Sequence, residues 1–263
     1  AGYIPIEHGD FYEVCDDLQH NPDGNNIGWC ISQDFINKMQ HGDSECINRY
    51  KKAMHTKMLT GKGYFFFPDK ANAKRPQWYL DRGLDIKSPQ LCAEIMLHSS
   101  EEYTYTCVLS SMNLATYDQW ENTNAIYNAT VFLDSVCQEF LERSKNLPGL
   151  EKAWLFTKKS RALGLGVCGF HTALQQRNMV YGSFESMMFN NKVFKELDDE
   201  SKRASKYLAE TWGKPEWMAN YEYANTHRIA VAPTKSTALI MGGISEGINP
   251  DTAMVYTQRT AAG

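Results

Sequence analysis

Short apolar segments of strand length alternate along this chain with longer stretches whose apolar residues recur every three or four positions, and that alternation confines it to the α/β class. Ile27 to Ile31 and Tyr64 to Phe67 read as strands, the second closed by Pro68, and Arg228 to Ala232 reads as a third. Gln33 to Gln40 and Cys46 to Leu59 read as helices, the latter ended by Gly61 and Gly63. Ala125 to Arg143 carries Ile126, Ala129, Leu133, Val136, Cys137 and Phe140 on one helical face, which assigns Cys137 to the core. Phe184 to Thr211 carries the stripe Met187, Phe194, Leu197, Ala204 and Leu208 and stops before Gly213 and Pro215. The first thirty residues are expected to be loop-rich, with Pro5, Pro22 and a turn at Asp23 to Asn26. The segments around Cys92 and from Thr104 to Leu114 are expected on strands, or on a loop held between strands. No internal repeat or domain boundary is visible.

A length of 263 residues suits one large domain or two small ones. The net charge of −4 provides no basic footprint, so nucleic acid is not an expected partner; small molecules and other proteins are. Seven cysteines, an odd set without a CxxC pair, do not form a secreted disulfide framework and point to a reducing compartment. No apolar run approaches the roughly 20 residues that span a bilayer, and Ala1 to Pro5 is not the start of a signal peptide, so a cytoplasmic protein without a membrane partner is expected. Seven histidines show neither HxxxH nor HExxH spacing, which gives no expectation of a metal site, and no GxSxG motif is present. The start at Ala1 and the stop at Thr260 to Gly263 read like those of a piece of something longer.

Three segments could carry chemistry. In Gln90-Leu91-Cys92-Ala93-Glu94-Ile95 a thiol stands two residues before a carboxylate, and on an extended element both would face the same space. The competing reading makes Cys92 a small core residue and Glu94 a surface charge. Gly164-Leu165-Gly166-Val167-Cys168-Gly169 matches the dinucleotide fingerprint, which would imply a nicotinamide dehydrogenase. Its lead-in from Glu151 to Arg161 is charged and helical where a buried strand is required, so the glycines are read as close-packing positions. Pro233-Thr234-Lys235-Ser236-Thr237 follows a strand and opens a helix, which suits either an anion cradle or a plain helix cap.

Taken in order with Thr106-Cys107-Val108-Leu109-Ser110-Ser111-Met112-Asn113-Leu114 and Arg161-Ala162-Leu163-Gly164-Leu165-Gly166, the Cys92 and Thr234 motifs resemble the large catalytic subunit of ribonucleotide reductase, closest to the aerobic class I enzymes of bacteria and their phages. The resemblance implies part of a ten-stranded α/β barrel, its middle and second half, over residues 1–263. A central finger loop would lie at about 88–98 and a phosphate-binding loop at about 233–238. It implies that Cys92 bears a thiyl radical that removes the ribose 3′ hydrogen, that Glu94 takes the 3′-hydroxyl proton, and that Cys107 is one of two thiols that supply electrons by closing a disulfide. Thr234, Lys235, Ser236 and Thr237 would hold the diphosphate of a ribonucleoside diphosphate.

The family commonly has Asn where this chain has Gln90, whose longer amide would address the ribose hydroxyls. The second reducing cysteine, the radical relay and the effector-binding regions are expected elsewhere. The implied partners are the rest of the large subunit, a radical-generating small subunit and a thioredoxin- or glutaredoxin-like reductant. No cofactor is expected on this chain itself, the radical coming from a separate metal-containing subunit. A half-barrel would expose the finger loop to water, so the isolated chain is expected to be inactive, whether it is a natural split product or a fragment. A non-catalytic remnant of the reductase is the competing expectation.

Overall fold

The computed structural model describes residues 2–21, 24–253, 255 and 257; the start of the turn expected at Asp23 to Asn26, and the terminus from Thr260 to Gly263, lie outside them. The chain divides into two compact units, Ala1–Tyr105 and Thr106–Gly263.

In the first unit, β1 (Gly2–Pro5), α1 (Phe11–His20) and β2 (Ile27–Cys30) form a β-α-β turn of the chain. Helices α2 (Gln33–Gln40) and α3 (Ser44–Thr60) follow, then β3 (Phe65–Phe66) and the short helices α4 (Pro68–Ala73) and α5 (Gln77–Leu80). The three strands form one parallel sheet in the order β1-β2-β3, with Tyr3 beside Gly28, Pro5 beside Cys30 and Cys30 beside Phe66. Because side chains alternate along a strand, Ile4, Ile27, Trp29 and Phe65 share the face that packs on the helices. There Trp29 meets Phe11 at 4.7 Å between ring centroids, over Cys15, Leu18 and Phe35. Tyr3, Gly28, Cys30 and Phe66 occupy the opposite face.

The loop-rich expectation for the first thirty residues is therefore corrected: besides the strand expected at Ile27 to Ile31, they hold β1 and α1. Phe11, Val14, Cys15 and Leu18 have helical spacing, but Pro22 and the Asp/Asn turn residues dominate the composition of the stretch. The α3 ends follow ordinary capping chemistry: the Asp43 side chain accepts from Cys46 N, and Gly61 takes a left-handed conformation at φ 70°.

The second unit contains β4 (Leu109–Asn113), a 3-10 turn at Leu114–Thr116, α6 (Tyr117–Trp120), α7 (Ala125–Ser144), α8 (Glu151–Ser160) and β5 (Gly164–Cys168). Helices α9 (Phe170–Gln176) and α10 (Phe184–Trp212), a 3-10 turn at Glu216–Met218 and α11 (Lys235–Ile240) complete it. Strands β4 and β5 are parallel, and the segment expected as a strand at Arg228 to Ala232 runs alongside β5 through a single bridge, Leu165 to Ile229. Cys137 is buried in the core with Leu114, Leu133, Leu165, Val167 and Leu197, as its helical face implied.

β5 is buried along its whole length, and its glycines are there for contact: a Cβ on Gly166 would lie 2.0 Å from Ala230 O. The glycine run is itself a strand, preceded by helix α8, so it is no phosphate turn and the dinucleotide reading fails. Among the described residues the two sheets have three and two strands, and neither closes on itself. No helix among them is long and apolar enough to cross a membrane.

A buried polar network holds the entry to β5. Arg161 ends α8 in a left-handed conformation at φ 44°, and its guanidinium donates to both Asp134 carboxylate oxygens at 2.8 and 2.7 Å. Asn225 donates to Asp134 Oδ1 at 2.8 Å and to Arg161 O at 2.9 Å, and accepts from Ser205 Oγ at 2.7 Å. Removing one member strands the others, so Asp134→Ala is expected to lower the unfolding free energy by about 3–5 kcal/mol in urea denaturation.

Next to this network His227 accepts from Leu163 N through its backbone carbonyl at 2.9 Å. Burial, and then the Arg228 charge, push its imidazole down to about 4 from 6.5. The folded chain thus keeps His227 neutral while the unfolded chain protonates it. Its contribution is fully present above pH 6.5 and is lost as pH falls toward 4. Urea midpoints measured across that interval should fall with pH, and His227→Gln should flatten the slope.

Candidate functional site

The segment 88–98 is a braced loop without regular structure. Buried Pro89, Ile95, Leu97 and His98 anchor its base. His98 N donates to Tyr79 Oη at 3.4 Å and its Nδ1 lies 2.7 Å from Asp85 O. Between the anchors the chain makes a tight turn: Ala93 N donates to Gln90 O at 3.1 Å and Gln90 N to Ile95 O at 3.1 Å. The Gln90 side-chain oxygen closes the turn by accepting from Ile95 N at 2.6 Å. Gln90 thus builds the loop, a role its resemblance to a ribose-binding amide did not suggest.

Ala93 sits at φ 68°, a left-handed conformation that costs a non-glycine residue about 1–2 kcal/mol and survives only where its surroundings impose it. The i, i+2 alternation of an extended element therefore does not operate here; the turn brings Cys92 and Glu94 together instead.

Cys92 is exposed at the turn, so it is no core residue, while Glu94 Oε2 is sealed from solvent without a hydrogen-bond partner, so it is no ordinary surface charge. Desolvation, then the Glu94 carboxylate, push the Cys92 thiol above its ordinary range. At neutral pH it is therefore held as S–H. Beneath the loop, Cys30 points its thiol at Lys87 O at 3.8 Å, and burial pushes it up to about 11.

The remaining candidates belong to the second unit. Cys107 is exposed just ahead of β4, next to Thr106, whose hydroxyl lies 2.8 Å from that of Thr157. Thr234 to Thr237 lie past the carboxyl end of the segment beside β5, where ligands bind in open α/β sheets. Thr234 is left-handed at φ 55° and makes no side-chain cap; its hydroxyl accepts from Gly247 N at 2.8 Å and ties the turn to the next loop. Lys235, Ser236 and Thr237 are exposed in the first turn of α11, whose leading N–H groups have no intrahelical acceptor.

Each unit carries parallel strands with helices packed on them, which defines an α/β protein. The chain belongs to the ribonucleotide reductase barrel-domain family, whose model matches residues 45–226 and 215–263. It is 31% identical over 81% of its length to the ribonucleoside-diphosphate reductase large subunit of Invertebrate iridescent virus 3, covering 34% of that protein. It is 29% identical over 90% of its length to the vitamin B12-dependent ribonucleoside-diphosphate reductase of Thermoplasma acidophilum, covering 33% of it. The solved class Id ribonucleotide reductase alpha subunit of Actinobacillus ureae matches with a TM-score of 0.89 and 41% identity, over 95% of this chain and 48% of that one. The chain thus spans about a third of the curated relatives and about half of the solved subunit.

Proposed function

We propose that this chain is a catalytic-subunit portion of a ribonucleoside-diphosphate reductase, with Cys92 as its radical-bearing residue. The observation that carries the reading is the braced turn, which presents a protonated thiol at its surface beside a partly buried carboxylate. A thiyl radical on Cys92 takes the hydrogen from the ribose C3′, restoring S–H and leaving a carbon radical. Glu94 accepts the 3′-hydroxyl proton, which assists loss of the 2′-hydroxyl as water. Two thiols, Cys107 being one of them, supply the proton that turns the leaving hydroxyl into water and then, by closing a disulfide, the two electrons and second hydrogen that the sugar needs; Cys92 finally returns its hydrogen atom to C3′ and becomes a thiyl radical again.

Gln90, with its oxygen committed to Ile95 N, offers its amide NH2 to a ribose hydroxyl. Thr234, Lys235, Ser236 and Thr237 receive the diphosphate through hydroxyls, leading N–H groups and the lysine charge. Segment 88–98 is the finger loop of a ten-stranded barrel whose other strands come from the rest of the large subunit. A separate metal-containing subunit generates the radical, and a thioredoxin- or glutaredoxin-like protein in the cytoplasm renews the thiols.

Combining the full chain with the remaining large-subunit sequence, a radical-generating subunit and a dithiol reductant should convert a ribonucleoside diphosphate to its deoxy form. No product in any combination would overturn the reading.

A further inference from the structure

We infer that Ser245 and Thr172 form a reciprocal clamp that holds the Thr234 turn in shape, which makes both of them positioning residues for the diphosphate proposed to bind there. The sheet itself holds that turn poorly. The segment leading into it meets β5 at a single bridge, Leu165 to Ile229, and among the described residues its last backbone bond to that strand runs from Ala230 N to Leu165 O at 3.3 Å. Beyond that bond Thr234 takes a left-handed backbone at φ 55°, which a β-branched residue adopts only where its surroundings impose it.

The loop 244–247 supplies the hold. Gly247 N donates to Thr234 Oγ1 at 2.8 Å, and Gly247 presses so closely on the turn that a Cβ there would lie 3.0 Å from Ala232 O. This bond also orients the hydroxyl. With a lone pair already taken by an N–H, Thr234 keeps its own O–H to donate, which suits the acceptor oxygens of a diphosphate.

Ser245 in turn fixes the loop to the helix that follows β5. Gly169, at the start of α9, has no side chain to cap the helix, and Ser245 caps it from 73 positions along the chain: its Oγ accepts from Thr172 N at 3.1 Å. Thr172 returns the bond, its Oγ1 accepting from Ser245 N at 2.9 Å, which is the reciprocity of a capping box built between two distant segments. Ser245 O also accepts from Gly169 N at 2.8 Å, and Gly247 O from Phe170 N at 3.3 Å. Ser245 is 2% exposed, so water does not replace a lost partner. The junction of β5 and α9 is thus tied through Ser245 and Gly247 to the Thr234 hydroxyl. The role in binding rests on the proposed reading of the turn as a diphosphate site; the clamp itself does not.

The test is amide hydrogen exchange of the full chain, read by mass spectrometry on peptides covering 234–249, together with calorimetric binding of inorganic pyrophosphate. Ser245→Ala removes the cap, Thr172→Val removes the returning acceptor with little change of shape, and Thr172→Ser keeps the hydroxyl. The first two should each speed exchange in 234–249 about tenfold, the loss of one buried hydrogen bond, and weaken pyrophosphate binding by a similar factor. Thr172→Ser should match the unsubstituted chain in both readings, and peptides from α7 should exchange at the same rate in all variants. Unaltered exchange in 234–249, acceleration shared equally by α7, or pyrophosphate bound as tightly by the loosened variants as by the unsubstituted chain would each overturn the inference. An unsubstituted chain that binds no pyrophosphate would defeat the diphosphate reading, and exchange alone would then decide the clamp.

Discussion

Cys92→Ser is expected to abolish deoxyribonucleotide formation by the assembled enzyme while leaving the fold intact. An O–H bond is considerably stronger than an S–H bond, so serine can neither accept the radical readily nor hand a hydrogen atom back. A barrier raised by about 8 kcal/mol already slows a step about a millionfold. The side chain is exposed at the turn and fills no cavity, so the substitution should shift the unfolding free energy by no more than about 0.5 kcal/mol. Activity lost with stability kept, measured on the same preparation by product formation and urea denaturation, is the signature of a chemical role. A non-catalytic remnant would show no difference between Cys92 and serine in either measurement.

Glu94→Gln is expected to lower kcat by about 10²–10⁴-fold, the usual range for removing a positioned general base, with KM for the nucleotide little changed. Gln is isosteric with Glu and keeps an oxygen at the buried position, so the loop retains its shape. What disappears is the capacity to take a proton. A fall in kcat and in kcat/KM by the same factor marks an interaction made only in the transition state, whereas a rise in KM alone would assign Glu94 to ground-state binding. Steady-state rates at several nucleotide concentrations separate the two.

Much of the fold is legible in the chain because its long helices are punctuated and amphipathic. The stripe from Met187 to Leu208 and the stop at Gly213 delimit α10 nearly to the residue, and Cys137 lies in the core because its helical face puts it there. Of the first β-α-β turn, β2 is legible as the strand read at Ile27 to Ile31, whereas β1 and α1 are not. β1 has only four residues, and α1 carries its apolar residues on one narrow face, with Glu13, Asp16 and Asp17 giving the rest a loop-like composition when read without the sheet. The segment at Arg228 to Ala232 has strand composition but pairs at one bridge only, since hydrogen-bond partners are set by Leu163 and Leu165 and not by local propensity.

The site divides along the same line. The order of the Cys92, Cys107, Arg161 and Thr234 motifs is written in the chain, and with it the family. The conformation of the Cys92 turn is not, because it depends on one amide: Gln90 closes the loop on Ile95 N and forces Ala93 left-handed, where sequence alternation suggests an extended element.

The measurement that tests the central claim most directly is the single-turnover rate of the assembled enzyme on a ribonucleoside diphosphate deuterated at C3′. If Cys92 removes the 3′ hydrogen, the deuterated nucleotide should react more slowly than the unlabelled one, and deuterium at C2′ should have no comparable effect. Equal rates with and without deuterium at C3′, in an enzyme whose Cys92→Ser variant still turns over, would contradict the account.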